Sequence, residues 1–95
     1  MAKKTVRFNE TGIEKLPDDK PVVYKILTTS GRNNYTGVAK RGRVQERLQE
    51  HLPSGVDPIP GVKVQIEQMP TIGEAEAKET RIISRARPPH NEQGK

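Results

Sequence analysis

Val22-Val23-Tyr24-Lys25-Ile26-Leu27-Thr28 is β-branched and aromatic, the composition of a strand packed on one face. Ser30-Gly31-Arg32-Asn33-Asn34 follows and is rich in turn formers, and Tyr35-Thr36-Gly37-Val38-Ala39 reads as a second strand. The two strands are expected to pair as an antiparallel hairpin. Side chains alternate between the faces of a strand, so Val22, Tyr24 and Ile26 share one face, as do Tyr35, Gly37 and Ala39. The two tyrosines are expected to face each other across this hairpin.

Outward from the hairpin, Lys40 to Gly42 breaks the strand pattern. Arg43 to Leu52 reads as a helix, with Val44, Leu48 and Leu52 at i, i+4 and i+8 as its apolar stripe. Pro53 to Gly61 is a loop rich in Pro and Gly. Val62 to Met69 alternates apolar and polar residues like a half-buried strand. Thr71 and Glu74 match a capping box that starts a second helix, and Pro88-Pro89 ends it. Upstream, Met1 to Lys20 is polar, with Pro17-Asp18-Asp19 as a turn and Phe8 as the anchor of one short strand or turn. The expected fold is α+β in the order β-β-α-β-α, a small, mainly antiparallel three-stranded sheet flanked by helices. Residues 1–20 form a partly ordered N-terminal segment, 21–91 the domain and 92–95 a C-terminal tail.

The totals suit that picture. Ninety-five residues allow one small domain. Val, Ile, Leu and Phe make up about a fifth of the chain, near the lower limit for autonomous folding. Mean hydropathy is −0.85. A formal charge of +5 favours polyanionic partners. The absence of cysteine excludes a disulfide framework, a thiol nucleophile and a thiolate zinc site. No apolar run approaches the ~20 residues needed to span a membrane, and no signal-peptide core follows Met1. A cytoplasmic location with no membrane partner is the expectation.

Several residues could carry chemistry. Around Glu79, the apolar residues Ala75, Ile82, Ile83 and Ala86 lie at i−4, i+3, i+4 and i+7, offsets that share one helix face. A carboxylate therefore points toward the core side, while Glu74, Glu76, Lys78 and Arg81 point to water. Burying an unpaired carboxylate costs several kcal/mol on rough estimates, which implies a partner, either a protein cation or a metal ion. A salt-bridged Glu at the edge of the face is the plainer alternative. Tyr24 and Tyr35 are two of only three aromatics, and a cross-strand pair filling the core accounts for them as well as a polar cleft does. Arg47 and His51, at i and i+4, flank the first helix's apolar stripe and are expected at the boundary between core and water. An Arg fork and a His that relays protons suit phosphate chemistry, although a solvated helix edge is the usual fate of Arg. Lys40, Arg41, Arg43 and Arg47 form one basic cluster and Arg81, Arg85 and Arg87 a second. Together they fit a phosphate-tracking surface, or else a solubilising one. Without interleaved aromatics, a base-stacking platform is not supported.

These pieces together resemble a GIY-YIG nuclease domain, from about Pro21 to about Asn91. Val22-Val23-Tyr24 stands where the family has Gly-Ile-Tyr, and Tyr35-Thr36-Gly37 where it has Tyr-Ile-Gly. Arg43 to His51 resembles the helix bearing an Arg and, four residues on, a His or Tyr. Glu79-Thr80-Arg81-Ile82-Ile83 resembles the metal-binding Glu with its trailing aliphatics, and Pro88-Pro89-His90-Asn91 the closing Pro-x-x-Asn. Val22 and Thr36 depart from the name motif, and the link from Gly37 to Arg47 is longer by a residue or two. A shorter register would put Gln45 in the place of Arg47; Arg47 is preferred because it keeps His51 at i+4.

The resemblance implies a metal-dependent DNA endonuclease. One Mg²⁺ or Mn²⁺ would sit at Glu79, Arg47 would neutralise phosphoryl charge, and Tyr24 would orient or deprotonate the attacking water, aided by Tyr35 and His51. Asn91 would support the site, Gly37 would be structural, and Lys40, Arg41, Arg43, Arg81 and Arg85 would hold DNA. A chain this short leaves specificity to loops such as Pro53 to Gly61, the N-terminal segment, a homodimer or a specificity-giving protein partner. The alternative is a nucleic-acid-binding or partner-docking module with the same fold and little or no cleavage.

Overall fold

A computed structural model describes residues 3–89. They run β1 (Lys3–Arg7), α1 (Glu10–Glu14), β2 (Val22–Leu27), β3 (Asn33–Ala39), α2 (Val44–Glu50), β4 (Lys63–Gln68) and α3 (Ile72–Ala86). The fold is α+β, and its sheet has four antiparallel strands in the order β1-β4-β2-β3 rather than the three expected. The added strand and helix α1 come from the polar N-terminal segment. Lys-Lys-Thr-Val-Arg offers no strand alternation to read, because β1 is an edge strand whose residues are exposed apart from the half-buried Val6. Its place is set by main-chain pairing with β4, Val6 opposite Val64. The chain then turns inward at the buried Phe8, and the Asn9 side chain caps α1 by accepting from the Gly12 N–H at 2.7 Å.

The sheet separates two apolar clusters. Tyr24, Val22 and Ile26 pack with Val64 and Ile66, Ile13 of α1, and Val44 and Leu48 of α2. On the opposite face Val23 packs with Met69 and Ala75, flanked by Val38, Ile72 and Ile82. Helix α3 therefore covers β2 and β3 from the side opposite α1 and α2. Val22 and Thr36, the two departures from the motif, are both fully buried.

Helix α2 is shorter than its apolar stripe suggests, ending at Glu50 with His51 as its C-cap. Its N-terminus has no side-chain cap of its own. Asp18 supplies one from the preceding turn, its Oδ1 accepting from the Val44 N–H at 2.7 Å. Gln45 is turned toward the α1 segment, where its Nε2 donates to the Leu16 carbonyl at 2.8 Å. Helix α3 starts as expected, with Thr71 Oγ1 accepting from the Glu74 N–H at 3.2 Å. It ends in a left-handed Arg87, φ 47° and ψ 60°, just before Pro88. Among the described residues no helix is long and apolar enough to cross a membrane.

Candidate active site

The hairpin register places Tyr24 opposite Gly37 and Tyr35 opposite Ile26. The tyrosines are thus diagonal neighbours on one face rather than directly opposed, with ring centroids 6.2 Å apart. Gly37 is what admits Tyr24: a Cβ built there would lie 2.5 Å from the Tyr24 hydroxyl oxygen and 2.6 Å from the ring carbon bearing it. That carbon cannot yield, since Tyr24 is fully buried and its hydroxyl is already bonded. Gly37→Ala is expected to cost about 1–3 kcal/mol by overpacking, which a urea melt would read directly.

His51 completes a three-ring cluster, its centroid 5.7 Å from Tyr24 and 5.1 Å from Tyr35. Contrary to the expectation of a boundary position, His51 is fully buried. The C-cap turn swings it off the helix edge, and the loop after α2 folds back over it. That return is pinned by the Asp57 N–H donating to the Glu50 carbonyl and the Ile59 N–H donating to the His51 carbonyl, both at 2.9 Å. Gly55 permits it, because a Cβ there would run into the Glu50 carbonyl.

The hydrogen bonds fix the imidazole's role. Nδ1 is 2.8 Å from the Asp57 carbonyl oxygen, which can only accept, so Nδ1 carries the proton. Nε2 is then the acceptor for the Tyr24 O–H at 2.8 Å. Burial lowers the His51 pKa, opposed by the bond to the Asp57 carbonyl, and the Arg47 charge lowers it further. The Asp57 carboxylate stands 3.7 Å from Nδ1, placed to steady a positive ring. Burial raises both phenols, Tyr24 strongly, with Tyr35 adding to the rise at Tyr24; Arg47 pulls both down.

Because His51 is depressed below its unfolded value of about 6.5, the unfolded chain takes up its proton first on acidification. Stability is therefore expected to be full above about pH 6.5 and to fall as pH drops below it. Thermal melts between pH 5 and 8 would show the decline, and His51→Gln should flatten that part of the profile.

Arg47 lies on the open side of the rings. Its side chain is 37% exposed and bonds Glu50 at 2.6 Å. Burial works against its charge, but Tyr24, Glu50 and Tyr35 outweigh it and raise its pKa. With Lys40, Arg43, Val38 and Ala39 it lines a cleft of about 210 Å³ along the β3 edge. Arg43 is tied to Glu46 at 2.6 Å and is well exposed. Lys40 and Arg41 are exposed and also border a second cleft, near Pro21 and Ile72.

Glu79 is half-buried on α3, and its charge helps raise the pKa of both Tyr24 and Tyr35. Its contribution is among the smaller ones, and its helix packs on the other sheet face. Among its stripe neighbours, Ala75 is buried, Ile82 and Ile83 are half-buried and Ala86 is exposed. Lys78, expected in water, is half-buried and paired with Glu67, so α3 is more deeply seated along that flank than its periodicity suggests. Among the described residues no three His, Asp, Glu or Cys converge as a metal cage. Arg81 and Arg85 lie away from the rings, lining a groove with Lys25. Asn91 lies outside the described residues.

The Asp57 carbonyl that orients His51 had no signal in the sequence, being a main-chain atom in a loop; the close-packed Gly55 is the nearest hint. Comparison with known protein families, with curated proteins and with solved structures finds no match to this chain.

Proposed function

We propose that this protein is a metal-dependent DNA endonuclease that hydrolyses phosphodiester bonds. The observation that carries the proposal is the hydrogen-bonded Tyr24–His51 pair beside Tyr35, with Arg47 on its open side and the Glu79 charge acting on both phenols. Structural aromatic clusters need neither an Arg nor a carboxylate from the opposite layer.

The residues divide the work. The Arg47 guanidinium faces the cleft and would neutralise charge growing on the non-bridging phosphoryl oxygens. A raised pKa makes Tyr24 a phenol at neutral pH, so it relays rather than initiates. Its oxygen accepts a proton from the attacking water while its own proton passes to His51 Nε2. The resulting imidazolium keeps its Nδ1–H on the Asp57 carbonyl, with the Asp57 carboxylate nearby. Water oxygen bonds to phosphorus as the bond from phosphorus to the leaving oxygen breaks. Glu79 would hold a divalent ion, whose Lewis acidity would stabilise that leaving oxygen. Lys40, Arg41 and Arg43 would track the flanking backbone.

One observation favours the second reading, a nucleic-acid-binding or partner-docking module with little or no cleavage. Tyr24 and His51 are both fully buried, so the relay is sealed from solvent in the free protein. A supercoiled-plasmid assay with Mg²⁺, Mn²⁺ or EDTA decides between them. Nicking that requires metal supports the nuclease. No nicking under any metal, with salt-sensitive DNA binding retained, supports the module.

A further inference from the structure

Lys78, Arg81, Ile82 and Arg85 stand at i, i+3, i+4 and i+7, so they form one flank of α3. Glu79 projects from another. This basic flank faces Lys25 and Asn33 across a groove of about 290 Å³. Strand alternation puts Lys25 on the opposite sheet face from Tyr24, so the groove is separate from the ring cluster. It continues into a smaller cavity that shares Lys25, Lys78 and Ile82 and reaches Lys3 on the edge strand β1 and Gln65 and Glu67 on β4.

The charge in the groove is one-sided. Lys25, Lys78, Arg81 and Arg85 line it, and the adjoining cavity adds a single carboxylate, Glu67, already bonded to Lys78. That pairing lowers the Glu67 pKa against the opposing effect of burial, and it holds Lys78 upright as a wall of the groove. Asn33 forms the far end and is itself fixed: its Nδ2 donates to Thr36 Oγ1 at 2.7 Å and its Oδ1 accepts from the Tyr35 N–H at 3.1 Å. Lys25 and Lys78 are half-buried, so their ammonium groups are partly pre-positioned, whereas Arg81 and Arg85 are exposed.

We infer that this groove is a second phosphodiester-binding track, taking DNA backbone outside the scissile position. The inference rests on the nuclease reading only for its choice of DNA as the polyanion. From residue 78 to 85 the helix rises about 10 Å, enough to meet more than one phosphate of a strand. Two backbone tracks, one beside the start of α2 and one along α3, suit a substrate that presents more than one stretch of backbone around a single cleavage point.

Fluorescence anisotropy with a labelled DNA duplex in EDTA, where cleavage does not intervene, tests the track. Lys25→Ala/Arg85→Ala is expected to weaken binding at least about 10-fold and to lower the log–log salt slope by about two. Lys25→Arg/Arg85→Lys, which keeps the charge, should restore both, and circular dichroism melts would confirm that each variant folds. Unchanged affinity and slope in the alanine variant overturn the track alone and leave the nuclease reading standing. A wild-type protein that binds no DNA at low salt overturns both.

Discussion

Glu79→Gln is expected to abolish metal-dependent plasmid nicking, with a loss of about 10²–10³-fold if the carboxylate contributes several kcal/mol through a bound ion. The substitution keeps the shape and hydrogen-bonding reach of the side chain but removes its charge. Glu79 is half-buried rather than sealed, so the fold should tolerate the change, with the melting temperature shifting by only a few degrees. A second, independent readout comes from the rings. Glu79 helps hold both phenols above the ordinary tyrosine range, so Glu79→Gln should lower the pKa of Tyr35, measured by ultraviolet titration. Calorimetric titration with Mn²⁺ should show heat of binding in the wild type and none in the variant. Equal nicking by both proteins would remove Glu79 from the site; lost nicking with unchanged Mn²⁺ binding would place the ion elsewhere.

Two kinds of information in this chain behaved differently. Periodic patterns were legible: the VVYKILT and YTGVA strands, the Val44 and Leu48 stripe of α2, and the Thr71 cap on Glu74 all appear where alternation and capping place them. Their physical basis is local, since side-chain spacing and a hydroxyl three residues from an amide depend on nothing distant. What escaped was set by distant partners. Strand β1 exists because β4 offers main-chain groups to pair with, which Lys-Lys-Thr-Val-Arg does not advertise. Helix α2 is capped by Asp18, 26 residues upstream of Val44. At the site, Arg47 and His51 are neighbours by spacing, yet only the returning loop shows that one is open and the other buried. Helical spacing likewise raised the question of Glu79, which is half-buried in the fold and adds a minor contribution to the raised pKa of both phenols.

His51→Ala is expected to be the most destabilising single change at the site, and it separates the structural role of the buried pair from the chemical one. Deleting the imidazole leaves the Tyr24 hydroxyl buried without its acceptor, a cost of about 1–3 kcal/mol. The cavity left behind adds to that, and the total approaches the lower end of the roughly 5–15 kcal/mol that holds a small domain together. Inactivity of this variant alone would therefore say little about proton transfer. Tyr24→Phe/His51→Leu is the informative companion. It removes both polar partners together and refills the space with apolar groups, so neither side chain is left with an orphaned donor or acceptor. The Asp57 carbonyl loses its imidazole donor, but it belongs to an exposed residue, and paired replacements are near neutral in stability when shape is kept. If the pair relays a proton, the double variant should fold, melt within a few degrees of the wild type, bind DNA with the same salt dependence, and yet cleave about 10²–10⁴-fold more slowly. It should also lose the stability decline below about pH 6.5 that His51 contributes, because no imidazole remains to titrate. A folded double variant that nicks plasmid at the wild-type rate would reduce Tyr24 and His51 to core packing and leave the chemistry to Tyr35, Arg47 and Glu79.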